Sequence, residues 1–303
     1  MMVSFSRRHS TEDYYYRRRG WCPSVVWWHT SEPGSDVVAS SRKSSDIPFH
    51  AVKLCISILA PILSKYFNHF MDIGVFPDIL KIGKITPVYK NKGQKQCFGS
   101  FRPISTLPIF GKIFEKIIYV RLYSFFLSQN FMYSKQFGFR KGHCTSHALN
   151  YSINFLTNAI SKNKHLIGIF IDLSKAFDTI DHGKLLVKLD NYGVRGNCHS
   201  LLESYISNRK QFTSFNNENS PKASVMFGVP QGSVLSPLLF LIYMNDIVNC
   251  SPYGEFILSA DDITISDQTC THAVFAFALN PIIGKPSYFY LMHGSNRCLP
   301  LSF

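Results

Sequence analysis

The stretch "ILSADDITIS", Ile257 to Ser266, sets two aspartates side by side within a run of strand-forming and small residues. A buried, unpaired carboxylate is costly, so such a pair persists either at an exposed bend or where positive charge sits on it. Two readings follow. In one, Ala260-Asp261-Asp262 is the solvated turn of a hairpin between the strands "EFIL" and "ITIS". In the other, the pair belongs to a metal site whose divalent cations supply the missing charge.

Upstream, "HLIGIFIDL" reads as a continuous apolar strand, buried on both faces, that ends in Asp172. Alone, Asp172 reads as a strand-end residue or the N-cap of "LSKAF". Placed beside the hairpin in one antiparallel sheet, it would bring three carboxylates from adjacent strands to one edge. Neighbouring side chains on a regular strand face opposite ways, so only a turn lets both Asp261 and Asp262 approach one point. Two Mg²⁺ ions about 3.5 to 4 Å apart require such an arrangement. A second constellation is "GVPQGSVLSP", Gly228 to Pro237. Gly232 allows close backbone approach, the Gln231 amide both donates and accepts, and Ser233 caps the helix that follows.

At 303 residues and 46% hydrophobic, the chain can bury a sizeable core. The longest apolar run, "VLSPLLFLIYM", falls short of the ~20 residues that span a bilayer, and reads as a buried helix. No secretory leader is visible, and no membrane association is expected. The 8 cysteines form no C-x-x-C pair, which favours reduced thiols in an intracellular protein, cytoplasmic or nuclear. His143, Cys144 and His147 lack a second pair at zinc-finger spacing, so a structural zinc is not expected. Net charge is +13, and Lys81 to Ser146 holds twelve Lys or Arg against one acid, Glu115, a net of +11. Basic residues interleaved with Tyr89, Phe98, Phe101, Phe137 and Phe139 suit a phosphate backbone with bases packed nearby.

Periodicity predicts helices over 51–71 (kinked or divided at Pro61), 109–129, 145–162, 182–192 and 198–207. Strands are expected at "ITPVY", "KQFTSF" and "SVMFGV". Residues 1–45 read as disordered or as an unrelated leader.

The phrases "FRPISTLPIFGKIFEKII", "KQFGFRKGHCTSHAL", "FIDLSKAFDTIDHGKLLVKLDNYGVRG", "YISNRKQF", "GVPQGSVLSPLLFLIYMNDI" and "SADD" occur in this order. Together they closely resemble the reverse transcriptase of LINE-type (non-LTR) retrotransposons, particularly jockey-like elements, over about Lys53 to Ser266. The resemblance implies an α+β right-hand polymerase in which fingers (about 46–165) and palm (about 166–270) surround an RNA template and a DNA primer. The antiparallel palm sheet would be flanked by helices. Carried over, Asp172, Asp261 and Asp262 match the catalytic, metal-binding aspartates, which hold Mg²⁺, with Mn²⁺ as a substitute. Phe177 matches the aromatic that lies under the sugar of the incoming dNTP and rejects a 2′-hydroxyl. Gln231 and Gly232 match the "PQG" phrase near nucleotide and template, and Lys90 and Arg102 lie in phrases that hold the triphosphate. Asp178 and Asp181 are expected to be structural or capping.

The chain also departs from the family pattern. Ser259 stands where an aromatic usually precedes "ADD", and "KSSDIPFHAVKL" looks like a shortened family phrase. Residues 271–303 do not resemble the later palm or the thumb, so the expectation is a truncated copy lacking a thumb and a preceding endonuclease. The alternative function is a catalytically inactive, nucleic-acid-binding relic of such an element.

Overall fold

The computed structural model describes residues 47–162, 167–173, 175–216, 218–250, 254–267, 290–293 and 297–300. The expected leader, 1–45, and most of 271–303 lie outside them. The chain divides into two compact units, Met1–Asp72 and Ile73–Phe303. The described part of the first forms α1 (Phe49–Leu54) and α2 (Ile56–Asp72). The division between them falls at Cys55 rather than at Pro61. Pro61 sits in the second turn of α2, where its ring removes one intrahelical donor without breaking the helix.

The second unit begins with a hairpin, β1 (Ile82–Tyr89) and β2 (Phe101–Thr106), followed by α3 (Ile109–Ser128) and α4 (Thr145–Ser161). Next come β3 (Ile167–Asp172), α5 (His182–Asn191), α6 (Asn197–Ile206), β4 (Lys210–Phe215), β5 (Glu218–Asn219) and β6 (Ala223–Ser224). The buried helix α7 (Ser236–Met244) leads to β7 (Glu255–Ser259) and β8 (Asp262–Asp267), and a last hairpin pairs β9 (Tyr290–His293) with β10 (Arg297–Pro300).

Strands β2-β1-β4-β5, with β6 also on β4, form a mixed sheet in which β1 runs antiparallel to β2 and parallel to β4. Pro87 on β1 stands directly opposite Pro103 on β2. Opposed residues exchange either both ladder bonds or neither, so placing two residues without N–H at one non-bonded rung spares the ladder. The hairpin survives two prolines for that reason.

The deciding sheet has the order β3-β8-β7, antiparallel throughout. Ile169, Ile171, Phe256, Leu258, Ile263 and Ile265 project from one face into a shared core with Ile247. At roughly 1.5–3 kcal/mol for each fully buried side chain, this face dominates the local energetics. The expectation that β3 is buried on both faces is not met. Gly168, Ile169 and Ile171 are buried, but Phe170 is 42% exposed and Asp172 is exposed as well. An antiparallel sheet, unlike a parallel one, leaves a face open to solvent.

The expected strand "SVMFGV" is also replaced. Only Ala223 and Ser224 pair with β4; beyond them Met226 and Phe227 are exposed and Gly228 turns at φ +80°. The Gly228 N–H then donates to the Ile180 carbonyl and the Val229 N–H to that of Phe177. Tertiary bonds to the segment after β3 have displaced the sheet ladder here.

A buried polar network joins α3, α6 and the start of α7. Glu115, 1% exposed, accepts from Tyr205 Oη (2.9 Å), Ser233 Oγ (2.9 Å) and the Val234 N–H (2.8 Å). Ser233 Oγ in turn accepts the N–H groups of Leu235 and Ser236, bracing the entry to α7 from outside the helix, whose N-cap is Leu235 rather than the expected Ser233. Burial, reinforced by the Glu115 charge, drives the Tyr205 phenol far above its usual range. Hydrogen bonds to a buried charge are each worth about 1.5–3 kcal/mol, and their loss strands three donors. Glu115→Ala is therefore expected to lower stability by about 3 kcal/mol or more, and Glu115→Gln by less, read as shifts in urea midpoint at unchanged slope.

Candidate active site

Asp172 ends β3 and stands directly opposite Asp262, which opens β8; Ser259 of β7 flanks Asp262 on its other side. Opposed residues in an antiparallel pair present side chains to the same face with Cβ atoms about 4.5–5.5 Å apart. The two carboxylates thus share the open face at one end of the sheet. Ala260 and Asp261 form the two-residue loop between β7 and β8, with Ala260 at φ +61°. Positive φ at the first loop position alone is the pattern of a type II′ turn, a place usually filled by glycine.

Electrostatics record the convergence. Burial raises the Asp262 carboxyl above its ordinary value, and the charges of Asp261 and Asp172 push it the same way. Among the described residues no three His, Cys, Asp or Glu side chains stand close enough, as placed, to hold a metal ion. The donor set nevertheless fits a hard divalent cation, because carboxylate oxygens are its preferred ligands and the mutual repulsion is what such a cation relieves.

Beyond Asp172 the chain makes a short 3-10 turn, Ala176–Asp178, entered through Lys175 at φ +55°. The Phe177 ring stacks on Phe240 of α7 (4.8 Å between centroids, 21°) and meets the edge of Phe139 (5.9 Å, 81°). Asp178 accepts from the Gln231 side-chain amide at 3.2 Å through both carboxylate oxygens. Asp181 caps α5 by accepting the Lys184 N–H at 2.8 Å. Both aspartates thus hold structure, as expected. Gln231 O accepts the Ser105 N–H (2.7 Å), and Gly232, at φ +112°, lies so near β2 that a Cβ there would be 2.6 Å from Ser105 O. Phe177, Gln231 and Gly232 therefore form one group around the turn after β3.

Lys90 and Arg102 sit elsewhere on the β1–β2 hairpin. Arg102 is exposed, three residues or about 10 Å along β2 from Ser105, and Lys90 Nζ donates to the Gly99 carbonyl. The structure does not draw these two side chains into the group around Gln231.

The segment Lys135–Arg140 ties the two halves of the site together, which the sequence reading did not foresee. Phe137 N–H donates to Leu258 O (2.8 Å), and Leu258 N–H to Lys135 O (3.0 Å). Lys135 also pairs with Glu255, and Arg140 Nη1 donates to the carbonyls of Tyr133 and Gln136. Gln136, 3% exposed, offers Oε1 to the N–H groups of Gly138 (2.8 Å) and Ala260 (3.2 Å). A Cβ on Gly138 would fall 2.1 Å from Ala260 N, so only glycine fits. "KQFG" carries a local signal in that glycine, but nothing in the sequence names its distant partner.

An open sheet face bearing opposed aspartates, set among helices, places the chain in the α+β class. Residues 89–276 match the family model described as "Reverse transcriptase (RNA-dependent DNA polymerase)", and the chain belongs to that family. It is 33% identical over 245 residues to the probable RNA-directed DNA polymerase from transposon X-element of Drosophila melanogaster, covering 79% of this chain and 26% of that protein. To the RNA-directed DNA polymerase from mobile element jockey of the same species it is 31% identical over 242 residues, covering 80% and 25%. The chain thus spans about a quarter of the length of these curated relatives. Among solved structures, the fold is shared with Candida tropicalis telomerase in complex with a fragment of telomeric RNA. The TM-score is 0.51 at 12% identity, covering 81% of this chain and 44% of that one. Candida albicans telomerase gives the same TM-score and identity over 74% and 43%.

Because the folded pKa of Asp262 is raised, the native state binds its proton more tightly than the unfolded state does. The resulting penalty is absent below the unfolded pKa and complete above the folded one. Asp262→Asn is therefore expected to raise the Tm of the metal-free protein near pH 7, with the gain vanishing as pH falls below about 4. Thermal melts in chelator across that range check the sign.

Proposed function

We propose that this chain carries fingers and palm of a non-LTR retrotransposon reverse transcriptase and extends a DNA primer along an RNA template. The observation that carries the reading is the pairing of Asp172 with Asp262 beside Asp261 on an open sheet face. Asp172, Asp261 and Asp262 would hold Mg²⁺, which lowers the pKa of a bound hydroxyl and neutralises phosphate charge.

The chain's own residues orient the reactants. In the reaction the primer 3′-oxygen bonds to the α-phosphorus of a dNTP while the bond to pyrophosphate breaks. Phe177, wedged between Phe139 and Phe240, would present a fixed ring to the sugar and exclude a 2′-hydroxyl by bulk. Gln231, held by Asp178, and Gly232, pressed on β2, set a backbone wall for nucleotide and template. Lys90, whose Nζ rests on the Gly99 carbonyl, and Arg102 are assigned to the triphosphate by the family resemblance alone. Catalysis in this scheme comes from positioning and electrostatics rather than covalent participation.

Primer extension on poly(rA) with oligo(dT), dTTP and Mg²⁺ or Mn²⁺ tests the reading. Extension by the wild-type chain, lost in the Asp261→Ala, Asp262→Ala double variant, is the expected result. A folded chain that binds the duplex with a steep salt dependence yet never extends it is the inactive relic instead.

A further inference from the structure

We propose that Gln136 is a positioning residue for nucleotidyl transfer: its buried carboxamide oxygen fixes the backbone entering the Ala260-Asp261 turn and with it the direction of Asp261 relative to Asp262. The proposal rests on the polymerase reading above and adds to it a residue that touches neither substrate nor metal.

The argument starts from strain. Ala260 at φ +61° occupies a region that an L-residue with a Cβ enters at a cost of order 1–3 kcal/mol, and it persists only where surroundings over-determine it. Gly138 has no side chain to intrude, and its backbone lies against Ala260. The bonds from Leu258 to Lys135 and from Phe137 to Leu258 lock the segment in parallel register two residues before the turn. Register alone does not set the turn. Gln136 Oε1 accepts the turn's own Ala260 N–H and also the Gly138 N–H, and so cannot swing away without stranding two donors.

The geometry matters because Asp262 faces Asp172 across the ladder while Asp261 rides on the loop. The N–H that Gln136 holds belongs to the Ser259–Ala260 peptide, and turning that peptide by a few tens of degrees swings the loop and the Asp261 carboxylate with it without disturbing the β3–β8 pairing. Gln136 thus fixes the part of the aspartate group that the sheet leaves free. The same segment carries Phe139 against Phe177, so the turn and the sugar-facing ring are referenced to one strap.

The test compares Gln136→Met, which keeps shape and loses the acceptor, and Gln136→Asn, which withdraws the same oxygen by one methylene, in the full chain. Two quantities are read: amide hydrogen exchange across 258–263, and steady-state dTTP kinetics on poly(rA)/oligo(dT). The expected result is faster exchange confined to that segment with kcat about ten- to a hundredfold lower and the dTTP KM within about twofold. Wild-type kcat in a folded Gln136→Met, or unchanged exchange at the turn, overturns the proposal. If Gln136→Met does not fold, Gln136→Asn decides alone, and wild-type kcat there overturns it equally. A wild-type chain without extension sinks the polymerase reading instead, a result distinct from an active wild type that is indifferent to Gln136.

Discussion

Two negatively charged residues placed opposite each other on antiparallel strands repel, and such a pair weakens a sheet. In this protein Asp172 and Asp262 hold that relation at the end of β3 and β8, and the rest of the unit is arranged so that they keep it. The compensation lies on the other face, where isoleucines of β3 and β8 pack with Phe256 and Leu258. Apolar burial pins the register, since a one-residue slip would carry every isoleucine to solvent. Register then forces the aspartates together; burial raises the Asp262 carboxyl, and the charges of Asp261 and Asp172 add to that rise.

A second constraint concerns the turn after β3. Phe177 and Asp178 are held by Gly228, Val229 and Gln231, which precede α7, and that helix is anchored from below by Glu115 through Ser233. The basic α3, the "PQGS" phrase and the "YISNR" helix are therefore one mechanical body. A buried carboxylate is costly unless satisfied, and here three donors satisfy it, so the network specifies the junction as well as stabilising it.

Much of this was legible in the sequence because it depends on local chemistry. The hairpin around Ala260-Asp261, four helical stretches of the second unit and the Asp181 cap follow from periodicity and capping rules, and α7 from its apolar run. The family resemblance named the aspartates, Phe177 and Gln231. What escaped was long-range. "HLIGIFIDL" looks doubly buried because Phe170 is apolar, yet only the sheet's neighbours decide which face is covered. "SVMFGV" has strand composition, but bonds to Ile180 and Phe177 claim its later residues. The strap from Lys135 to Arg140 meets a turn more than a hundred residues away, and no local pattern encodes that meeting.

The claim at the centre of this account is that β3 and the β7–β8 turn jointly build one cation-binding edge. Mn²⁺ titration followed by loss of the free-ion EPR signal tests it directly, using the wild-type chain beside Asp172→Asn and Asp262→Asn. The account predicts saturable binding by the wild type that weakens about tenfold or more in each single variant, because the two carboxylates sit on different strands but serve one site. Binding that is unchanged in Asp172→Asn would contradict it, since the edge would then belong to the turn alone.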